Sequence, residues 1–431
     1  MSDNALYDSF FALHHGLPRQ GPGSDTTTRR LLALAWGSSH SPQGRRGRFP
    51  ERPRVLDLGC GPGRSALLLA AEAGAEVTAV DTHEPFLAEL RDSAAARGLD
   101  GSIRTVRADM GALPFPDGSF DLVWAESSVF VLGFDRALAE WRRLLAPGGA
   151  LVLTECVWTT EEPGLVARAF WEEHYPLRTV AGNAAAAVEA GYHVVGTVPQ
   201  PESDWDEYYV PLSARAEAAD TTVPGMAEAV AGARTEISLR RVHGGDYGYA
   251  GFVLRPADPR WRVREETAAD APAVRRVVSA AFGSADLPSG GEADLVDALR
   301  LDADAWLPGL SYVAEAPDGS IAAHALITRC RVGGAPAAAL APVSVAPEYQ
   351  RRGAGQAVVR AVLDAARLRG ERLVLVLGHP EYYPRFGFVQ ASAYGIKPGF
   401  EVPDEAMMAL VLDGSEPALS GTLVYPAAFG V

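Results

Sequence analysis

The run Asp57-Leu58-Gly59-Cys60-Gly61-Pro62-Gly63 closes a strand-like segment and opens a helical one. A backbone free to turn tightly there, with no Cβ in the way, lets a ligand lie against the amides of a helix start. A dinucleotide fingerprint would need its third glycine at position 64, where Arg64 stands. The glycines fall instead at 59, 61 and 63 behind an acid at 57, which disfavours NAD. Asp81 ends the next strand-like run about 20 residues on, where a carboxylate can accept both hydrogen bonds of a ribose diol. Together these residues predict a nucleoside-bearing ligand. A second loop, Gln350-Arg351-Arg352-Gly353-Ala354-Gly355, follows the run Ala339–Val345 and opens the helical run Gln356–Arg369. Successive amides at a helix start point the same way, so with two arginines beside them they form an anion site sized for a pyrophosphate. No Gly-Lys-Ser/Thr follows, which disfavours an ATPase.

The elements that must hold the first loop alternate regularly. Strands are predicted at Arg54–Leu58, Glu76–Asp81, Ile103–Ala108, Phe120–Ala125 and Ala150–Glu155, and helices at Ala66–Ala73, Pro85–Ala96 and Asp135–Leu145. This is the pattern of a doubly wound α/β sheet. Beyond Glu155 the segments bearing Trp171, Tyr175, Trp205, Tyr208 and Tyr209 read as a cap. A helix near Met226–Arg240 and a strand near Tyr247–Leu254 then complete the sheet. Arg255-Pro256-Ala257-Asp258-Pro259-Arg260 reads as an extended connector, and a second domain starts near Trp261. Ser38–Pro53, basic and rich in Gly and Pro, reads as a solvated loop. The domains expected are 1–256 and 257–431.

Composition narrows the partners. Of 431 residues 48% are apolar and 22% charged, ordinary for folded globular domains, and the length calls for at least two cores. With 39 bases against 54 acids the net charge is −15, a field that repels phosphate backbones and anionic lipid, so neither nucleic acid nor membrane is expected as a partner. Cys60, Cys156 and Cys330 stand too far apart for a zinc or disulfide framework, and no metal site is expected. The first eight residues carry acids where a signal peptide needs bases, and no apolar stretch nears about 18 residues, so a cytoplasmic enzyme is expected. Lys397 is the only lysine, which removes lysine-nucleophile chemistry from the first domain.

The first domain resembles the class I S-adenosylmethionine-dependent methyltransferases in its acid-led Gly-x-Gly-x-Gly loop. Ala108-Asp109-Met110, Ser119-Phe120-Asp121-Leu122-Val123 and Pro147-Gly148-Gly149 match further family segments in order, over roughly residues 1–256. The resemblance implies that Asp57, Gly59, Gly61 and Gly63 hold the methionine moiety, Asp81 the ribose, and Asp109 with Met110 the adenine. Leu17-Pro18-Arg19-Gln20-Gly21-Pro22-Gly23-Ser24, with Trp141 and Tyr208-Tyr209-Val210-Pro211, is similar to a small-molecule subgroup in which this segment lies over the cofactor. Methyl transfer needs alignment more than a base. If a base exists, Glu126 past the fourth strand is the candidate, or else a strand-end carboxylate satisfied by backbone amides. His14 and His15 either fold over the site or sit on a helix surface. Trp141, Trp171 and Trp205 line an acceptor pocket or pack the core.

The second domain resembles the GCN5-related N-acetyltransferases (GNAT) over roughly residues 260–431. Its marks are the Gln350–Gly355 loop and Tyr382-Tyr383-Pro384-Arg385-Phe386-Gly387-Phe388. The resemblance implies that the amides of Arg351, Arg352, Gly353, Ala354 and Gly355 bind the pyrophosphate of acetyl-CoA, that Val343 and Val345 present backbone to its pantetheine, and that Tyr383 matches the general acid. A hydroxyl there could protonate the departing thiolate, the alternative being a packing tyrosine. No base for the amine is readable; Glu292, His324 and His379 are candidates weighed against surface or structural roles.

The fold class expected is therefore α/β in two domains, a Rossmann-like methyltransferase sheet followed by a GNAT-type mixed sheet. The leading function is a bifunctional transferase using S-adenosylmethionine and acetyl-CoA, on one small metabolite or on two. The alternatives are an active methyltransferase carrying a non-catalytic acyl-CoA-binding or dimerising domain, and a pair of binding modules. The sequence leaves the oligomeric state open.

Overall fold

The structure, a computed structural model, describes residues 3–36, 49–258, 260–283, 291–412 and 419–430. Residues 38–48 of the expected loop and Pro259 of the expected connector lie outside the described residues. The chain divides into two units, Met1–Pro256 and Ala257–Val431.

In the first unit helices α1 (Asp3–His14) and α2 (Asp25–Trp36) precede an alternating series. It runs β1 (Arg54–Leu58), α3 (Arg64–Ala73), β2 (Glu76–Asp81), α4 (Glu84–Ala96), β3 (Ile103–Arg107), β4 (Phe120–Ala125), α5 (Phe134–Trp141) and β5 (Leu145–Trp158). Then come α6 (Leu165–His174), β6 (Arg178–Thr179), α7 (Val180–Glu189), β7 (Tyr192–Pro199), α8 (Glu202–Ala218), α9 (Met226–His243) and β8 (Tyr247–Pro256). The central strands are apolar on both faces, as parallel strands covered by helices must be: β1 buries Val55, Leu56, Asp57 and Leu58.

The sheet order is β3-β2-β1-β4-β5-β8-β7, with β6 on β5. Strands β1 to β5 pair in parallel, while β8 joins β5 and β7 antiparallel. The order reverses between β1 and β4, which opens a crevice outside their carboxyl ends. Strand β5 runs further than the six residues expected because β8 pairs with it from Leu151 to Trp158. Strand β7, absent from the sequence reading, is held at the sheet edge by that same late strand. The cap is α1, α8 and α9, whose core holds Leu13, Trp205, Tyr208, Tyr209 and Met226.

The second unit contains β9 (Arg262–Glu265), α10 (Ala271–Phe282), α11 (Glu292–Leu301), β10 (Trp306–Glu315), β11 (Ile321–Val332) and β12 (Ala335–Val345). These are followed by α12 (Ala354–Leu368), β13 (Leu373–Leu377), β14 (Val389–Gln390), β15 (Ile396–Lys397), β16 (Met407–Val411) and β17 (Gly421–Val424). The sheet order is β14-β16-β13-β12-β11-β10-β9. One face packs on α12 through Ala354, Val358 and Val362, and the other on α10 and α11 through Val274, Val278 and Val296. Strands β12 and β13 pair only at Ala338↔Val374 and Ala339↔Leu375. Past that point β12 keeps β11 but has no described strand on its other edge, so the sheet is splayed there.

Candidate active sites

The first loop turns at Gly59, Gly61 and Gly63, all at positive φ. Gly63 is required twice over: its φ is 88°, and a Cβ there would stand 2.1 Å from Leu90 Cδ1 on α4. Asp57 lies beneath the turn, 2% exposed, with Oδ2 making no hydrogen bond. Burial, then the charges of Glu126 and Asp81, push its carboxyl up to about 8. An orphaned acid of this kind suits a cationic ligand group. Asp81 is engaged from the loop, accepting the amides of Gly61 at 2.9 Å and His83 at 2.8 Å, one on each oxygen. Each oxygen keeps a lone pair for a further donor.

Pro18, Arg19, Gln20 and Gly21 lie across this turn. With Asp57, Gly59, Gly61, Glu126 and Ser127 they line an open cavity. A Cβ on Gly61 would meet Gln20 Cγ at 3.2 Å, so the glycine is also what lets the segment approach. The segment is pinned by Arg19, whose guanidinium bonds Glu126 at 3.1 Å and Asp25 at 3.2 Å. Asp25 in turn accepts Arg64 at 2.7 and 2.9 Å.

Glu126 is neither a bare base nor a carboxylate held by backbone amides. Its oxygens take Arg19, Thr28 Oγ1 at 2.8 Å and Trp124 Nε1 at 2.9 Å, all side chains. Asp109 is exposed and accepts the Gly111 amide at 2.7 Å, a local turn that presents Met110. Trp141 is fully buried and donates to Met110 O at 3.0 Å, so it supports that segment rather than lining an acceptor pocket. His14 is buried in the cap against Tyr208 Oη at 3.1 Å, and burial lowers its pKa, which places it on neither the helix surface nor the cofactor turn. His15 bridges Glu89 at 2.7 Å and the ring of His83 at 3.0 Å, the residue whose own amide donates to Asp81. Trp205 packs in the cap core, stacked by Arg240.

In the second unit Arg351 and Gly353 both adopt positive φ immediately ahead of α12. A Cβ on Gly355 would meet Val345 Cγ2 at 2.9 Å and Tyr382 Oη at 3.0 Å. Tyr382 thus stands at the anion loop. Tyr383 is 8% exposed, its ring against Gly378 and Phe388, and burial raises its pKa. Ala346 N bonds Ala322 O on β11, so by alternation the backbone groups of Val345 and Val343 face the splayed edge, where Val345 O accepts Gln350 Nε2. The residues read as connector do more than connect. Trp261 Nε1 donates to Arg352 O at 3.3 Å, and a Cβ on Gly353 would meet Asp258 and Arg260 at 3.5 Å. Sequence offered no signal for this beyond the proximity of a tryptophan to two charges. His379 is exposed, whereas His324 is wholly buried.

Fold and sites define a chain of two α/β units, each with a ligand turn at the start of a helix. Residues 55–149 match the family described as Methyltransferase domain, and 262–391 the Acetyltransferase (GNAT) domain family. The chain is 30% identical over 205 residues to 27-O-demethylrifamycin SV methyltransferase of Amycolatopsis mediterranei, covering 46% of this chain and 71% of that protein. It is 38% identical over 141 residues to the uncharacterized N-acetyltransferase YjhQ of Escherichia coli K12, covering 32% of this chain and 74% of that one. The chain therefore belongs to the methyltransferase family through its first unit and to the GNAT acetyltransferase family through its second. Demethylmenaquinone methyltransferase of Thermus thermophilus is 41% identical over 143 residues, 31% of this chain, but the chain spans only 62% of that relative's length.

Among solved structures, a methyltransferase of Geobacter sulfurreducens with S-adenosyl-L-homocysteine is 19% identical, covering 58% of this chain and 98% of its own, at TM-score 0.49. A GNAT acetyltransferase of Brucella melitensis with acetyl-CoA is 34% identical, covering 39% and 97%, at TM-score 0.32. Among the described residues no helix is long and apolar enough to cross a membrane.

Proposed function

We propose that the chain is a bifunctional transferase. Its unit 1–256 methylates a small-molecule acceptor from S-adenosylmethionine, and its unit 257–431 acylates an amine from acetyl-CoA. The observation that carries this reading is the pairing, in one chain, of a glycine turn over a buried unpartnered acid with a glycine turn beside a splayed strand edge. In the first unit Gly59, Gly61 and Gly63 give the donor room, Asp57 and Asp81 hold its cationic and hydroxyl groups, and Met110, propped by Trp141, borders the base. The donor supplies an electrophilic methyl group. The chain's own part is to orient the acceptor and exclude water, with Arg19 and Glu126 locking residues 17–21 across the turn. Glu126 acts there as a positioning residue.

In the second unit the amides of Arg351 to Gly355 hold pyrophosphate, Val343 and Val345 offer their backbone to the pantetheine arm, and Tyr383 supplies the proton the thiolate needs. The acidic balance supports small molecules over nucleic acid as acceptors. The test is mass spectrometry of the purified chain given both donors, isotopically labelled, and a panel of small amines and alcohols. Methyl transfer reduced at low donor concentration in Asp81→Ala alone, with acetyl transfer lost in Gly353→Glu alone, is the expected result. Absence of either product from the wild type would overturn the corresponding half.

A further inference from the structure

Residues 15–21 are tied to both flanks of Asp81. The chain leaves α1 at His15 and Gly16, the latter at a φ of 70°, where Arg215 on α8 donates to His15 O, and then crosses the cofactor turn. Asp81 accepts two amides, Gly61 on one oxygen and His83 on the other. The same short segment touches the owner of each. Gln20 presses on Gly61, where a Cβ would meet its Cγ at 3.2 Å, and His15 Nε2 meets His83 Nε2 at 3.0 Å. The His83 ring is set for that contact by Phe11 of α1, stacked at 3.9 Å between centroids, and by the edge of Phe86 of α4 at 4.7 Å.

His15 Nδ1 lies 2.7 Å from Glu89 Oε1 on α4. A carboxylate can only accept, so Nδ1 carries a proton. The two Nε2 atoms then form a hydrogen bond only with a single proton between them. The pair keeps that bond when neutral and when it carries one positive charge. A second charge sets one N–H against another between two imidazoliums, and the contact is lost. The side chains of His15 and Glu89 are 32% and 33% exposed, so protons from solvent reach the pair. Burial, then the charge of His15, hold the His83 pKa below its ordinary value against the pull of Asp81 and Glu89, with Arg107 at the end of β3 adding to the lowering. The other charged or titratable groups here are Arg215 and His14, the latter turned into the cap against Tyr208.

We propose that the His15–His83 pair is a catch that fastens residues 15–21 over the bound donor and holds only while a single proton bridges the two rings. His15, His83 and Glu89 are then positioning residues of the donor site, acting through Asp81 and the crossing segment rather than on the methyl group. This rests on the reading of Asp81 as the ribose carboxylate. At neutral pH the catch is closed. As pH falls through the ordinary imidazole range near about 6.5, the second ring takes a proton and the segment is released, so acid favours the open form. The open form binds one proton more than the closed one, which bounds the loss of donor affinity at about tenfold at pH 5.5.

The experiment is calorimetric titration of the full chain with S-adenosylmethionine from pH 8 to pH 5.5, joined to NMR of the histidine rings in the ligand-free protein. His15→Gln retains a side chain able to bond His83 but takes no charge. Over that range the wild-type Kd should rise about 3- to 10-fold more than that of the variant, a difference free of the Asp57 titration that both proteins share. His83→Phe keeps the stack on Phe11 and the backbone amide on Asp81 but loses Nε2, and should raise Kd about 3- to 10-fold at pH 8. The His83 ring, assigned by its absence from that variant, should titrate below the ordinary imidazole range and return toward it in His15→Gln, a change that a merely structural role for His15 would not produce. Coincident pH profiles for wild type and His15→Gln, full affinity in His83→Phe, or a His83 titration unmoved by His15→Gln would overturn the catch while Asp81→Ala still weakens binding. Unchanged donor affinity in Asp81→Ala would overturn the ribose reading and the catch with it.

Discussion

Binding of S-adenosylmethionine to the first unit should expel close to one proton. Asp57 is buried, has an unpartnered oxygen, and has its carboxyl pushed up to about 8 first by burial and then by Glu126 and Asp81. A carboxyl with that pKa holds about 0.9 proton at pH 7. A unit positive charge arriving about 5 Å away, at an effective dielectric near 20, favours the carboxylate by about 3 kcal/mol, or about 2.4 pKa units. That brings the group to about 5.6 and leaves it under about 0.1 protonated at pH 7. The measurement is calorimetric titration at pH 7 in two buffers of very different ionisation enthalpy, from which the proton count follows directly. Asp57→Asn should abolish the buffer dependence. The same linkage sets a stability trend. Because the folded carboxyl binds its proton more tightly than the unfolded one, the ligand-free unit should lose stability as pH rises from the ordinary carboxylate range toward about 8, and level off above it. A binding enthalpy identical in both buffers would refute the reasoning, since it would mean that Asp57 is already ionised or that no positive charge reaches it.

Asp81→Ala should weaken S-adenosylmethionine binding by about 1–3 kcal/mol in calorimetry through loss of its ribose hydrogen bonds; an unchanged affinity would remove Asp81 from the site. Glu126→Gln, which keeps the Thr28 and Trp124 contacts but loses the charge opposite Arg19, should raise the cofactor Kd by about 1–2 kcal/mol with the saturated methylation rate within a few-fold. A rate loss of about 100-fold or more would instead mark it as a base. Gly63→Ala should lower the melting transition of the first unit by an amount equivalent to about 2–4 kcal/mol, because the new methyl group meets Leu90 and the backbone sits at a φ of 88°. Gly353→Glu should remove acetyl-CoA binding while methyl transfer persists, a pattern that separate assays of the two products resolve.

Much of this protein was legible along the chain. Strands β1, β2, β4 and β13 fall where apolar runs end at glycine or acid, and both ligand turns sit between a strand and a helix as their glycines require. Period, turn chemistry and helix starts are short-range properties, set by sterics and hydrogen bonding over a few residues, so the residues themselves determine them. The edge strand β7 carried no such mark. It exists because β8 arrives late in the unit and leaves an edge to be paired.

The partners of the functional groups were decided by packing. Glu126 meets Arg19 across 107 positions of sequence, and Trp261 meets the Arg352 carbonyl across 91. His324 meets Ser311 of β10 and Glu266 just past β9, across 13 and 58 positions of sequence. Residue type announced that these groups can exchange protons or hold anions. Whether each is bare, paired or buried depends on desolvation and on neighbours that only the closed sheet brings together, and that is what separates the Glu126 clasp from the unpartnered acid of Asp57 in the same cavity.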